Sequence, residues 1–421
     1  MKKLLLALAI SISVVSTSAL ASIESKTWPS SDKARQFVKD NLQIDFYASP
    51  YGVGWTKEKQ VVDYVKLAHK TGINGASNTI AATYYTREQT LAEIARYNAI
   101  AKKHSDIMTV VKTVEEIEQA VKDGKYFWMY NSQTSSLLDG DIKKVKEMKD
   151  LGINSMQLVY NGRYRAGLGV VEAMHYYDIG LSQWGRDLID ELVKQGITVD
   201  MSHTSYQTTM DIMDYMEEKH PGVPPYFSHS SLEGTYNCDA NREAYHPTKN
   251  AKLIDTKTFN EQPCYRLISD EQAKRVAELG GTVGLTFTEW MIDGVWPDDI
   301  APKHAADMLD YGRKLVGIDH ITIATDDVFT TASIVSFAKA NPAAYGLDGG
   351  YMMDAFDKGA TGCAELGKFM PALVDELWKR GWTNKDINKV FGENVMRVWK
   401  ATWNPKAEFK GVGDKWEIKG N

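Results

Sequence analysis

Two histidines and one aspartate stand at the ends of short apolar segments, where buried strands would end. They are His203, His229 and Asp326. Imidazole and carboxylate groups suit zinc, and three protein ligands with one open position are the usual pattern of a catalytic zinc site. A single polar residue at a strand end is more often a cap or turn residue, but that explanation weakens when three share one rim. We therefore predict that these side chains converge on one metal ion.

The elements that must position these residues are strand-like segments alternating with amphipathic helical segments such as Ser182–Lys194 and Ser269–Leu279. Repeated eight times, this alternation predicts an α/β fold, a parallel (β/α)8 TIM-type barrel, with its active site at the carboxyl ends of the strands. Tyr47, Asn131 and Tyr160 also stand at such ends. The eight predicted strands are Leu42–Ala48, Ile73–Thr79, Tyr126–Asn131, Asn154–Tyr160, Ile197–His203, Pro224–Ser230, Thr282–Phe287 and His320–Asp326.

Six short motifs then occur in a familiar order between Leu42 and Val398. On these motifs the chain resembles the membrane (renal-type) dipeptidase family, whose members are barrel-shaped, metal-dependent hydrolases. Each motif is weak alone, but their order agrees with the eight predicted strands. The motifs are Val199-Asp200-Met201-Ser202-His203, Phe227-Ser228-His229-Ser230-Ser231, Arg266 with Ser269-Asp270-Glu271-Gln272, Gly280-Gly281-Thr282-Val283-Gly284, Val316-Gly317-Ile318-Asp319-His320 continuing to Asp326, and Gly392-Glu393-Asn394 with Arg397.

The resemblance implies two zinc ions bridged by a glutamate, together with a set of ligands and substrate-binding groups. Four positions match: His203 and His229 for one ion, Asp326 for the strand-eight carboxylate, and Arg266 for the arginine that binds the substrate carboxylate. The resemblance would place Arg266 at the mouth, whereas arginine is in general most often an exposed surface residue.

The other positions depart from the family pattern. The strand-one His-x-Asp is Tyr47-x-Ser49, the bridging glutamate aligns with Asn131, and the strand-four histidine aligns with Tyr160. Two ions about 3.5 to 4 Å apart repel each other strongly without an anionic bridge. We therefore predict a degenerate metal site with at most one zinc, in which Asn131 and Tyr160 join Asp326 as catalytic groups and Tyr47 faces the substrate.

Two functions follow from these residues. The first is an exported, dipeptidase-like metallohydrolase that cleaves a dipeptide or a small peptide-derived amide with at most one zinc ion. The second is a repurposed, metal-free barrel that binds or tailors a peptide-derived metabolite, for example in siderophore maturation, without dipeptidase activity. The altered residues Tyr47, Asn131 and Tyr160 favour the second function, because they suit hydrogen bonding better than zinc.

The amino terminus predicts export. Lys2 and Lys3 precede the apolar stretch Leu4 to Val15, and Ala19-Leu20-Ala21 supplies a cleavage pattern, so we expect residues 1–21 to be a signal peptide and the protein to be periplasmic or secreted. A net charge of -6 argues against nucleic acid as a partner. No later segment is apolar enough for a membrane span. Self-association remains open.

Residues 22–421 are predicted to form one domain with insertions after the sixth and eighth strands. The insertions are Thr235 to Pro263 and Asn341 to Thr361, and Phe369 to Lys400 reads as two closing helices. Cys238 and Cys264 bracket the first insertion, and in an oxidising compartment they are candidates for a disulfide.

Overall fold

The computed structural model describes residues 28–48, 57–83, 85–175, 178–235, 266–287, 291, 301–326, 366–403, 408–409 and 418–419. The predicted signal peptide, the cysteine pair and Ser49 lie outside the described residues, as do both predicted insertions apart from Thr235.

In the described residues, nine parallel strands form two adjoining sheets, and eight of them are the predicted strands. The larger sheet has the order β1-β2-β4-β5-β6 with β3 added beside β4, and the smaller has the order β7-β8-β9. The unpredicted strand is β3, which pairs only with β4. A separate antiparallel hairpin, β10 with β11, lies near the carboxyl terminus. The strands are β1 (Ile44–Ala48), β2 (Gly75–Ala81), β3 (Met108–Val110), β4 (Tyr126–Ser132), β5 (Ile153–Gln157), β6 (Thr198–Asp200), β7 (Phe227–Ser230), β8 (Val283–Thr286), β9 (Ile321–Ala324), β10 (Glu408–Phe409) and β11 (Ile418–Lys419).

The two sheets close into a barrel at two seams, where continuous strand pairing is replaced by a few hydrogen bonds. Between β6 and β7, the Tyr226 amide donates to the Val199 carbonyl at 3.1 Å and the Tyr226 carbonyl accepts from the Met201 amide at 2.8 Å. Between β9 and β1, the Asp326 amide donates to the Tyr47 carbonyl at 2.9 Å. The predicted eight-stranded barrel is therefore confirmed.

A buried aspartate ties each seam together. Asp200 accepts hydrogen bonds from the amides of Ser202 and Ser228, both at 3.0 Å. Asp45 accepts from the Thr325 amide at 2.9 Å and from the Thr325 hydroxyl. Asp200 thus joins β6 to β7, directly before His203 and His229. Asp45 joins β1 to β9, directly before Tyr47 and Asp326.

The helices pack outside the barrel, and most of them begin at a serine or threonine whose side chain accepts a hydrogen bond from the first turn. Ser269 caps the predicted Ser269–Leu279 helix, with Gln272 completing a capping box. No helix in the described part of the chain is long and apolar enough to cross a membrane. The helices are α1 (Asp32–Asp40), α2 (Glu58–Thr71), α3 (Arg87–Lys103), α4 (Val114–Lys122), α5 (Val145–Leu151), α6 (Val170–His175), α7 (Gln183–Gln195), α8 (Tyr206–Lys219), α9 (Asp270–Glu278), α10 (Pro302–Val316), α11 (Leu366–Lys379), α12 (Asn384–Asn388) and α13 (Asn394–Trp403).

The carboxyl-terminal region contains three helices where two were expected. Gly381, with φ +83°, ends the turn after α11, and Thr383 caps α12. The second expected helix is divided, because a π-helical segment at Lys389–Glu393 separates α12 from α13.

Two of the six motifs prove to be structural. A Cβ added at Gly281 or at Gly284 would lie 2.0 Å from a carbonyl oxygen of the neighbouring segment, so these glycines let β7 and β8 approach closely. The Asn394 amide donates to the carbonyls of Ile318 and Ile321 at 2.7 and 2.8 Å. The carboxyl-terminal motif therefore clamps the start of β9.

Candidate metal and substrate site

His203 and His229 meet at the barrel mouth. Their Nε2 atoms are 3.0 Å apart, and both side chains are buried. His203 has φ +66°, a left-handed conformation that is uncommon for a residue with a side chain. The predicted pairing of the two imidazoles is thus present, and the backbone at His203 is strained to achieve it.

The outer nitrogen of each imidazole is held by a neighbour. His203 Nδ1 lies 2.7 Å from Asn161 Oδ1, and His229 Nδ1 lies 2.8 Å from Ser228 Oγ. Ser228 Oγ in turn donates to Ser202 Oγ at 3.3 Å, which leaves the Ser228 oxygen to accept from His229. With the protons on both Nδ1 atoms, the two Nε2 lone pairs point at each other.

Two tyrosine rings flank the histidine pair. Tyr47 stacks on His229 and Tyr160 stacks on His203, each with ring centroids 3.8 Å apart. Burial lowers the pKa of both histidines well below 6.5, and the positive charge of Arg266 lowers it further. The imidazoles are therefore neutral, which is the form that binds a metal.

Asn131 is committed to a hydrogen-bond network inside the barrel. Its Oδ1 accepts from the Thr79 hydroxyl at 3.1 Å, and its Nδ2 donates to Ser77 at 2.9 Å. The Tyr47 hydroxyl is bonded to Thr79 and accepts from Gln133 Nε2 at 3.1 Å. Both predicted site residues are thus joined through Thr79 in a neutral network that fills this side of the mouth.

Asp326 also lies at the mouth and has a left-handed backbone, with φ +54°. Burial raises the pKa of its carboxyl group to about 7, against a lowering by the charge of Arg266. It does not complete a three-ligand group with the histidines, since no three His, Cys, Asp or Glu side chains within the described ranges are arranged to hold a metal ion. The predicted convergence of His203, His229 and Asp326 on one point is therefore not observed. The backbone amide of Asp326 donates a hydrogen bond to the Tyr47 carbonyl, and the Tyr47 ring stacks on His229.

Arg266 is buried rather than exposed on the surface. Only 3% of the residue is accessible, and its guanidinium donates to the His229 carbonyl at 3.0 Å and to the Ser230 hydroxyl at 3.3 Å. It supports the end of β7 from a position next to the histidine pair.

The sequence reading missed Asp45, Asp200, Thr79 and Gln133 as parts of the site. Burial raises the pKa of Asp45 to about 7 and that of Asp200 to about 6, although hydrogen bonds from their neighbours oppose this. One signal was available, because Asp45 precedes Tyr47 by two residues just as Asp200 precedes Ser202.

Comparison with known proteins identifies the family and the fold of this chain. The family model for the membrane dipeptidases (peptidase family M19) matches residues 56–242 and 345–410, more than half of the chain. These ranges contain His203, His229 and Asn394, whereas Arg266 and Asp326 lie between them.

Among curated proteins, dipeptidase tcpJ of Claviceps purpurea is 21% identical over 334 residues, which cover 79% of this chain and 64% of that protein. Across the three curated dipeptidases compared, the match spans between 40% and 64% of the relative's own length.

Two solved structures share the barrel. An amidohydrolase from Pseudomonas aeruginosa superposes with a TM-score of 0.68 and 24% identity, covering 88% of this chain and 99% of that one. A metallopeptidase from Rhodobacter sphaeroides, solved with a phosphinate mimic of the dipeptide L-Ala-D-Ala, superposes with a TM-score of 0.64 and 15% identity. The match covers 86% of this chain and 99% of that one. At these identities the structures establish the fold, and together with the family match they show that the chain belongs to the membrane dipeptidase family, peptidase family M19.

Proposed function

We propose that this protein is an exported hydrolase of dipeptides or small peptide-derived amides that works with one zinc ion held by His203 and His229. The observation that carries this proposal is the 3.0 Å approach of the two Nε2 atoms, whose lone pairs face each other when both protons are on Nδ1. Two lone pairs repel unless a cation lies between them. Two nitrogens bound to one tetrahedral zinc at about 2.0 to 2.1 Å lie about 3.3 Å apart, so a shift of a few tenths of an ångström admits the ion.

A second ion does not fit the residues present. The side of the mouth that would hold it is occupied by Tyr47, Thr79, Gln133 and Asn131, which satisfy one another's hydrogen bonds. None of these four groups is anionic at neutral pH, so Asp326 would be the carboxyl group beside them that could balance a second dication. In this proposal Asn131 positions the network and does not touch the substrate.

A bound zinc ion would polarise the scissile carbonyl and acidify a water molecule. The protein's own groups would do the rest. Asp326 is a half-buried carboxylate at the mouth and would accept a proton from the attacking water. Tyr160, packed flat on His203, would hold the amide beside the histidine pair. Arg266 bonds to the His229 carbonyl and would attract the substrate carboxylate through its charge.

The metal-free alternative has one observation in its favour. The groups around Asn131 are neutral and bonded to one another. Such groups are more typical of a surface that binds a ligand by hydrogen bonds than of a metal site. On that hypothesis the barrel binds a peptide-derived metabolite, and a proton bridges the two Nε2 atoms.

Metal analysis of protein purified without a histidine tag distinguishes these functions. We expect about one equivalent of zinc after dialysis, lost in His203→Ala and His229→Ala. His69→Ala is the matched control, because His69 is an exposed histidine on α2. We also expect hydrolysis of dipeptides such as Ala-Ala, abolished by chelation. Zinc-supplemented protein that retains no ion and cleaves no dipeptide would overturn the proposal, and two tightly held equivalents would overturn the single-ion assignment.

A further inference from the structure

A cavity of about 590 Å³ opens beside the histidine pair. Its walls come from the segments after β2, β4 and β5 and from the first turn of α7, so it lies on the same rim of the barrel as the site. Cavities of this size are typical of sites that bind small-molecule ligands. The walls include Thr83, Ser135, Asp139, Tyr160, Arg165 and Trp184.

Tyr160 connects the cavity to the site. Its ring stacks on His203 at 3.8 Å and also lines the cavity. Tyr160 is 5% exposed, so the side chain is almost fully enclosed between the two. A substrate that places its amide beside His203 therefore extends past Tyr160 into the cavity.

The charges on the cavity wall do not cancel. Arg163 pairs with Glu172 at 3.0 Å, and Asp139 pairs with Lys144 at 2.6 Å. Arg165, by contrast, has no carboxylate within 4.0 Å in the described part of the chain. The cavity thus carries one positive charge without a partner.

Arg165 is nevertheless held in place. Its guanidinium lies 5.5 Å from the centre of the Trp184 ring and donates to the Gly140 carbonyl at 3.4 Å. The Trp184 indole donates to the same carbonyl at 3.3 Å. The turn that presents this carbonyl is tight, with φ +50° at Asp139 and +76° at Gly140. The Trp184 ring and the Gly140 carbonyl therefore hold the Arg165 guanidinium in position.

We propose that this cavity is a substrate subsite that binds an acidic group on the amino-terminal side of the scissile amide. This inference rests on the proposed function. Arg266 bonds to the backbone of His229, whereas the cavity is joined to His203 through Tyr160, so a substrate whose carboxyl terminus faces Arg266 directs its amino-terminal part into the cavity. The substrate class is then peptides, or acylated peptides, longer than a dipeptide and bearing a carboxylate on that part.

The test compares the tripeptides Glu-Ala-Ala and Gln-Ala-Ala, which differ only in charge at the first side chain. Binding is measured by calorimetry on the full chain in the presence of a chelator, so that neither peptide is cleaved. We expect the Glu peptide to bind about fivefold more tightly, as for a partly exposed ion pair of about 1 kcal/mol. Arg165→Gln should abolish the difference and Arg165→Glu should reverse it. The matched control is Arg186→Gln on α7, which removes a guanidinium stacked on Tyr215 at 5.2 Å, away from the cavity.

The outcomes separate the subsite from the hydrolase activity. Equal binding of the two peptides, or a preference that survives Arg165→Gln, would overturn the subsite whatever the protein hydrolyses. A preference that depends on Arg165 supports the subsite, even if no peptide is cleaved when zinc is supplied. That last result would count against the proposed hydrolysis alone.

Discussion

The carboxylate that ties β1 to β9 should make folding stability depend on pH in a defined way. Asp45 is fully buried, and its pKa is raised from 3.8 to about 7. Between these values the unfolded chain releases the proton while the folded protein keeps it. Stability from this group is therefore complete at low pH and is lost as the pH rises towards 7. At about 1.4 kcal/mol per pH unit, the loss amounts to about 4 kcal/mol.

Asp45→Asn removes the titration and keeps most of the hydrogen bonds. The amide oxygen can still accept from the Thr325 amide, and the Thr325 hydroxyl can rotate to accept from the new NH2 group. We expect the variant and the wild type to be similarly stable near pH 4. The variant should become more stable by about 4 kcal/mol near pH 8.

Urea unfolding at a series of pH values measures this difference directly, with tryptophan fluorescence and circular dichroism as probes. Asp40→Asn, a change at an exposed aspartate that accepts from Gln36, is the matched control and should run parallel to the wild type at every pH. If the Asp45→Asn curve also runs parallel to the wild-type curve, the carboxyl group is not protonated at the seam and the reasoning fails.

Three further substitutions test the architecture of the site. Gly169→Ala would place a Cβ 1.5 Å from the Tyr160 carbonyl oxygen and should cost both zinc retention and melting temperature, whereas Gly162→Ala, with nothing within 4 Å, should cost neither. Asn394→Ala frees two buried carbonyls and should lower the unfolding free energy by about 2 to 4 kcal/mol without changing zinc content. Arg266→Lys should weaken binding of a peptide carboxylate by about 1.5 to 3 kcal/mol. It should also lower stability measurably, because the guanidinium is buried on a backbone carbonyl, and unchanged calorimetric affinity would remove Arg266 from the binding site.

The strands could be predicted because each one buries both faces, which leaves a short apolar run in the sequence. β4 and β5, for example, are buried along their whole length. β3 could not be found in this way, since two of its three residues are only half-buried and it pairs with a single neighbour. Secondary structure was thus predictable where burial was complete, and it was missed at the margin of the sheet.

The histidine pair could be predicted because both residues follow recognisable strands. The contacts that surround the histidines could not be predicted, because they join residues that lie far apart in the sequence. Asp45 meets Thr325 across 280 positions of sequence, and the Tyr47 hydroxyl meets Gln133 across 86. Such contacts depend on barrel closure, which joins segments that lie far apart in the sequence.

Left-handed backbone conformations occur both at the histidine pair and at the proposed subsite. Among the described residues, the non-glycine positions with positive φ are Asp139, His203 and Asp326. Each costs roughly 1 to 3 kcal/mol unless the surroundings enforce it, and such residues cluster at functional sites. His203 and Asp326 belong to the mouth, and Asp139 begins the turn beneath Arg165. Asparagine or glycine would relieve the strain more fully than histidine does, so the conformation at His203 is explained by what its imidazole does there. The left-handed residue Asp139 ends the 3-10 helix Ser136–Leu138 and forms part of the wall of the cavity that Tyr160 links to His203.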